Sequence, residues 1–230
     1  MKEKSRPIDI VLGIIAAILT PINFVSFSAF IPCFFRSFYF MWIGPLDIVN
    51  YSGFSESQIK SAYNDVMNYL WFNAPFKTGD LAYTSEEEAH FADCKPLFYL
   101  QLILMVITFV LLLTYLILLN KKVLKEVRFL KLSPFSLGAI IGVSLLAVVG
   151  ISAAIDFNAT FTLFHQIMFP GKANWVFDWN TEQIIRILPE SFFLVTAIFI
   201  IGLVVVLSAT TIILDVVISK KLRKRAIKNI

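Results

Sequence analysis

Four long apolar runs set the limits on how this chain can fold. They cover about residues 8–30, 97–119, 134–155 and 192–214, and each is long enough to cross the ~30 Å hydrocarbon core of a bilayer as a helix. Hydrophobic residues make up 58% of the chain and charged residues only 16%, against about a quarter charged in a soluble domain. The sequence therefore predicts an all-α integral membrane protein, with four transmembrane helices in one membrane domain over residues 1–230.

The distribution of lysine and arginine predicts the orientation of the chain. Three precede the first run, five lie between the second and third, and six follow the fourth, which places 14 of the 20 on one side. Because loops rich in Lys and Arg stay in the cytoplasm, both termini are expected there. Segments 31–96 and 157–191 are then extracytoplasmic and are expected to form a cap. This segregation of charge also argues against nucleic-acid binding as the meaning of the net charge of +4.

Two stretches of the first extracytoplasmic segment have a recognisable pattern. Residues 31–45 are very aromatic but too short to span, so they are expected at the interface or packed on the outer end of the bundle. Residues 55–70 predict a helix with Ser55 as its N-cap. Its apolar face consists of Ile59, Tyr63, Val66, Met67 and Leu70.

The two histidines of the chain, His90 and His165, fall in the two polar clusters of the predicted cap, residues 83–95 and 164–193, which are expected to be irregular, loop-like segments beside the spans. Asp93 is three residues after His90, and a nearby carboxylate can orient an imidazole and keep it basic. His165 is followed by Asp178, Arg186 and Glu190 as further polar partners. A pair of histidines beside two spans indicates acid–base chemistry at the membrane surface.

Each of these residues also has a simpler structural interpretation. A lone histidine near an interface is often only a hydrogen-bonded structural group. Arg186 and Glu190, four residues apart, could form a helix-surface ion pair. Others are explained as a solvated acidic run (Glu86, Glu87, Glu88) or as interfacial aromatic anchors (Trp175, Phe177, Trp179).

Both clusters resemble a family of small four-span bacterial membrane proteins, the lipoprotein intramolecular transacylases of Gram-positive bacteria. Residues 164–193 are similar to its Phe-His, Phe-x-Gly, Trp-x-Phe-Asp and Leu-Pro-x-x-Phe-Phe pattern. Residues 83–95 resemble its motif Phe-Thr-Glu-Arg-Glu-x-x-His-Met-x-Asp-Val-Lys. The matching residues are Thr84, Glu87, His90, Asp93 and Lys95, whereas Tyr83, Ser85, Glu86, Phe91 and Cys94 depart from the motif.

The resemblance implies an acyltransferase of the bacterial cell membrane that acts on diacylated lipoproteins among membrane lipids. It would move the sn-2 acyl chain of the diacylglyceryl group to the α-amine of the N-terminal Cys, giving the lyso-form lipoprotein. His90 and His165 are the implied catalytic residues. The first division of roles has His90, oriented by Asp93, as base on the amine and His165 as its partner at the ester, and the reverse is nearly as well supported. The supporting or substrate-binding residues are expected to be Glu87, Asp93, Lys95, Trp175, Asp178, Arg186 and Glu190.

Two other classes of protein fit the same residues. A metal-dependent membrane hydrolase would use His90, Asp93, His165 and a further acidic residue as ligands, although no HExxH motif is present. A lipid-binding or transport accessory protein would need no catalysis. Aminolysis of a tethered ester requires no cofactor and no metal, so none is expected. Cys33 and Cys94 lie in the same predicted segment, which leaves a disulfide open, and the oligomeric state is also left open.

Overall fold

A computed structural model describes residues 5–228 of the chain, with side chains described as far as Lys221. Of the basic residues that predict the orientation, Lys2 and Lys4 lie outside this range, and the side chains of residues 222–228 are also outside it. Within the described residues the helices are, in chain order, α1 Pro7–Phe34, α2 Arg36–Phe40, α3 Ile48–Ser52, α4 Glu56–Phe72, α5 Ser85–Asn120, α6 Pro134–Ile155, α7 Phe157–Met168, α8 Ile184–Ile187 and α9 Glu190–Lys228.

Four of the described helices, α1, α5, α6 and α9, are long and apolar enough to span a membrane, which confirms the predicted fold class. Helix α5 has 36 residues, a length of about 54 Å, and therefore exceeds the ~30 Å apolar core of a bilayer. Its first three turns contain the polar cluster of residues 83–95 from Ser85 onward. The expectation that this cluster is irregular was therefore wrong, because it continues the second span as one helix through Pro96.

The helical contacts group into two compact units. The first consists of residues 5–28, Ile103–Val148 and residues 200–228. Within it, α1 and α6 approach closely, and a Cβ added at Gly138 would lie 2.3 Å from the Ala17 carbonyl oxygen. Asn23 donates a 2.9 Å hydrogen bond to the Thr108 hydroxyl. Small residues and interhelical hydrogen bonds of this kind hold membrane helices together, because lipid tails provide no hydrophobic drive for their association.

The second unit consists of Ala29–Leu102 and Val149–Phe199, so the two segments predicted to meet do pack together. Its core includes Tyr39, Ile48, Ile59, Ile184 and Ile187, each at most 1% exposed. The aromatic stretch 31–45 contributes Phe38, Tyr39 and Ile43 to this core, whereas its Phe35 and Met41 are exposed. The Tyr39 ring stacks on Tyr63 at 4.0 Å, and its hydroxyl donates to the Ile187 carbonyl.

Helix α4 confirms the pattern of residues 55–70. The Ser55 hydroxyl accepts from the Gln58 backbone N–H, and the Gln58 side chain accepts from the Ser55 N–H, which forms a capping box. The predicted apolar face is buried in the second unit. The helix ends at Phe72, where Asn73 takes a left-handed conformation with φ of 54°.

The segment 164–193 is less loop-like than its composition suggested. His165 lies on α7, whose first turn is capped by Asp156 accepting from the Ala159 N–H at 2.9 Å. Near the C-terminal end of the segment, α8 ends at Ile187 and α9 begins only at Glu190. Because Leu188 and Pro189 separate them, Arg186 and Glu190 lie on different helices and do not have the one-turn spacing that an ion pair on a continuous helix requires.

Candidate functional site

The two histidines lie side by side in the second unit. His90 comes from α5 and His165 from α7, and their ring centroids are 6.0 Å apart with an interplanar angle of 31°. Their exposed fractions are only 7% and 8%. Two imidazoles this close and this well shielded from water can act on the same small reacting group.

Both rings border a cavity of about 410 Å³. Its walls are almost entirely apolar and come from the end of α1, from α4, α5, α7, α8 and α9, and from the loops that follow α7 and α8. The residues that form them include Met67, Leu70, Phe91, Leu97, Phe98, Phe161, Phe164, Phe169, Trp175, Phe177, Phe192 and Phe193. An apolar cavity with a few converging polar groups is the usual form of a small-ligand or lipid site.

The hydrogen bond of His165 identifies which of its nitrogens is basic. Its Nδ1 lies 2.8 Å from the Phe161 carbonyl oxygen. Since a carbonyl can only accept, Nδ1 carries the proton and Nε2 keeps a lone pair. Burial lowers the pKa of His165, an effect that the hydrogen bond to Phe161 partly opposes, so the ring is neutral at neutral pH. Trp175 stacks on the ring at 5.0 Å and holds its orientation.

His90 has a different environment. Its Nε2 lies 3.4 Å from the Cys94 sulfur, and the edges of Phe169 and Phe177 pack around the ring at 5.0 and 5.4 Å. Its Nδ1 is buried and has no hydrogen-bond partner among the described residues. A buried polar atom without a partner costs free energy unless something else binds it.

Asp93 does not reach the His90 ring through a hydrogen bond. Its carboxylate accepts instead from the Lys172 ammonium and, at 2.9 Å, from the Asn174 side-chain amide. These bonds join α5 to the loop that carries Trp175, the residue stacked on His165. Asp93 therefore holds this loop through hydrogen bonds, and its negative charge lies near His90.

Glu87 is fully buried, unlike its neighbours Glu86 and Glu88. One of its oxygens accepts from the Thr84 backbone N–H at 2.6 Å, and the other accepts from the Ile184 N–H at 3.2 Å. The side chain thus connects the first turn of α5 to the first turn of α8, so its direct contacts are structural.

The remaining candidates do not line the cavity, and their hydrogen bonds go to other residues. The Lys95 ammonium binds the Asn73 side chain at 2.7 Å, and Arg186 donates to the carbonyls of Trp179 and Asn180. Asp178 accepts from the Asn180 N–H at 2.9 Å, and Glu190 accepts from Asn158 at 3.4 Å. Of the seven supporting residues expected from the sequence, Trp175 is the one that lines the cavity.

The polar cavity residues Cys33, Tyr63, Cys94, Gln101 and Thr196 are absent from the sequence-based set. Tyr63 was visible only as part of the apolar face of α4. Burial raises the pKa of Tyr63, so its hydroxyl stays protonated. The two cysteines are both free thiols and are not joined by the disulfide that the sequence left open.

Within the described part of the chain, no three His, Cys, Asp or Glu side chains lie together in a way that could hold a metal ion. His90 and His165 provide two nitrogens, and the Asp93 carboxylate is turned to Lys172. The arrangement therefore gives the metal-hydrolase interpretation no support.

Fold and site together define a class of protein: a four-span helical membrane protein with a histidine pair in an apolar, lipid-sized cavity. The sequence model of the family "lipoprotein intramolecular transacylase Lit" matches residues 14–193. The chain belongs to this family and is a membrane acyltransferase that acts on lipoproteins. Family membership favours the enzyme over the lipid-binding or transport alternative.

Solved structures of the membrane integral lipoprotein intramolecular transacylase Lit from Bacillus cereus have the same fold. One has a TM-score of 0.80 at 22% identity and covers 95% of this chain and 97% of its own. Variants of it with a histidine replaced by arginine or by alanine both give TM-scores of 0.77, at 22% and 23% identity. They cover 95% and 94% of this chain, and 95% and 96% of their own chains. A search of curated proteins gave no significant match.

Proposed function

We propose that this chain moves the sn-2 acyl chain of a diacylated lipoprotein to the α-amine of the same N-terminal Cys. The observation that carries the proposal is His165, whose Nδ1 is bound by the Phe161 carbonyl, lying beside His90 in an apolar cavity. Lipoprotein intramolecular transacylation is the activity of the family, and the residue roles given below are specific to this proposal.

The reaction is an ester aminolysis within one substrate. The amine is already tethered to the ester, and good intramolecular geometry can contribute about 7–11 kcal/mol to such reactions. The cavity would hold the acyl chain among phenylalanine side chains and thereby fix that geometry. No enzyme nucleophile and no cofactor is required, since one ester bond is exchanged for one amide bond.

The proton path assigns the base to His165. As the amine nitrogen attacks the ester carbonyl carbon, its proton passes to Nε2 of His165. The C–O bond to glycerol then breaks, and the glycerol oxygen takes this proton from His165. His90 acts on the ester side of the same centre. This is the reverse of the division that the Asp93 spacing first suggested, because the Asp93 hydrogen bonds go to Lys172 and Asn174.

The orientation follows from the basic residues. We propose that both termini face the cytoplasm of a Gram-positive cell, because basic loops are retained there. The histidine cavity then opens at the extracytoplasmic side, where mature lipoproteins are anchored. Its substrate partners are the diacylated lipoprotein and the surrounding lipids.

Mass spectrometry of N-terminal lipopeptides tests the proposal. The host should make only diacyl lipoproteins and express the wild type, His90→Ala, His165→Ala or the control Lys95→Met, whose ammonium binds Asn73. Wild type and Lys95→Met are expected to shift one acyl chain from glycerol to the α-amine, and both histidine variants are expected to lose the product. Diacyl lipopeptides that stay unchanged with abundant wild type would refute the function. Normal product from either histidine variant would refute the site.

A further inference from the structure

The thiol of Cys94 is one turn along α5 from His90 and contacts its ring. The sulfur is 3.4 Å from Nε2, and both side chains line the cavity. A thiol S–H is a weak donor and sulfur is a weaker acceptor than an imidazole nitrogen, so the favoured arrangement has Cys94 donating to Nε2. That bond fixes the proton of a neutral His90 on Nδ1.

The Nδ1 of His90 is the atom that has no partner. It is buried, on a side chain that is only 7% exposed, and no described residue accepts a hydrogen bond from it. The charged or titratable groups near it are Asp93 and His165. Asp93 is held by Lys172 and Asn174, and the Nδ1 of His165 is held by Phe161. The Nδ1–H of His90 is therefore left for a ligand in the cavity.

We infer that Cys94 is a positioning residue that keeps His90 as the Nδ1–H tautomer, and that this N–H donates to the ester carbonyl oxygen of the substrate. The oxygen becomes negative when the amine attacks, and a donor already aimed at it stabilises that charge. His90 keeps its proton throughout. The only proton that moves passes from the amine to His165 and then to the glycerol oxygen. This inference rests on the proposed function.

The two histidines then have complementary roles set by their neighbours. Each carries its proton on Nδ1, but Phe161 occupies that N–H in His165, whereas the N–H of His90 remains available. Each ring thus presents one group to the substrate, a lone pair from His165 and a donor from His90. Neutral imidazole is known elsewhere as an electrophilic donor of this kind.

The chain contains two histidines, so its ring nitrogens can be read directly by ¹⁵N NMR of histidine-labelled protein in micelles. In the wild type, His90 and His165 are both expected to show Nδ1 protonated and Nε2 unprotonated near pH 7.5. In Cys94→Val, His90 should shift towards the Nε2–H form while His165 is unchanged. Cys94→Ser, which restores a donor, should return the wild-type pattern.

Turnover is measured on the same variants. Cys94→Val is expected to lower kcat by about 2- to 10-fold, the factor that one neutral hydrogen bond represents, with little change in KM. Cys94→Ser should recover most of the kcat that Cys94→Val loses. Cys33→Val is the comparison for the tautomer readout: Cys33 also lines the cavity, but no described hydrogen bond joins its thiol to a histidine ring, so both histidines should keep the wild-type tautomers.

Two results would overturn the inference. One is an Nε2–H tautomer of His90 in the wild type. The other is a loss of turnover in Cys94→Val without a tautomer change, which would mean that the thiol only packs. If the wild type shows the expected tautomers but transfers no acyl chain, the proposed function fails while the tautomer assignment stands.

Discussion

The burial of Glu87 leads to a prediction that separates a structural role from a chemical one. We expect Glu87→Gln to destabilise the fold while leaving the reaction intact in the fraction that is folded. The glutamate accepts from two backbone N–H groups, those of Thr84 and Ile184. Glutamine retains one acceptor oxygen, and its amide NH₂ would face the other N–H.

The size of the effect depends on which N–H loses its partner. Thr84 is half-buried, so its N–H can be partly rehydrated, whereas Ile184 is 1% exposed. Glutamine is therefore expected to keep its oxygen on Ile184 and to lose the charge-assisted bond to Thr84. A hydrogen bond to a charged group is worth about 1.5–3 kcal/mol, which corresponds to a fall of about 3–12 °C in Tm for a chain of this size.

The assay is thermal unfolding in detergent, followed by intrinsic tryptophan fluorescence. Glu86→Gln and Glu88→Gln make the same substitution one residue away on exposed positions, so they should unfold within about 1 °C of the wild type. At 20 °C, Glu87→Gln should still produce lyso-form lipopeptide. Equal Tm values for all three variants would refute the structural role, and a folded but inactive Glu87→Gln would assign the carboxylate to the chemistry.

Three further predictions concern packing, pH and the loop. Gly138→Ala should cost about 1–3 kcal/mol of stability, because its Cβ would lie 2.3 Å from the Ala17 carbonyl oxygen. Gly202→Ala, with nothing within 4 Å of its Cβ, should be neutral or stabilising, and equal unfolding of the two variants would contradict the close packing. In a pH series, His165 is already neutral at pH 7 because burial lowers its pKa. The acid limb of kcat/KM should therefore follow the substrate α-amine at about 7.7–8.0, and a limb centred at or below 6.5 would indicate that a histidine titrates instead. Lys172→Met should lower turnover by no more than about 5-fold, since an exposed ion pair is worth about 0.2–1 kcal/mol. Asp93→Ala also loses the bond to Asn174 and should therefore lower turnover further than Lys172→Met does. A smaller loss of turnover in Asp93→Ala, measured in the lipopeptide assay, would contradict the conclusion that Asp93 holds the loop.

Hydropathy and its periodicity predicted the parts of the fold that depend on how hydrophobic residues are distributed along the chain. The four long apolar helices and the capped helix α4 belong to this group. The secondary structure of the polar segments 83–95 and 164–193 was harder to predict, because their composition suggested loops. His165 lies instead on a helix capped by Asp156, and His90 lies on the extension of a span.

The sequence singled out the two histidines that meet in the cavity, but not the residues that surround them. Lys95 and Arg186 were predicted as supporting residues because they are charged. Their side chains instead bind nearby amide and carbonyl oxygens. Which way such a side chain points depends on contacts between segments that are distant in sequence. The contact between Cys94 and His90 follows from one turn of helix, and that spacing could have been found only after residues 83–95 were known to be helical.

In the sequence, His90 comes before the linker that follows α5, and His165 comes after it. A chain divided within residues 121–133 would leave His90 on one piece and His165 on the other. Neither piece could supply both the lone pair and the N–H donor of the proposed reaction. Acyl transfer by two co-expressed pieces would then show that the pieces associate in the bilayer. The activity of the divided enzyme could therefore be used to measure that association.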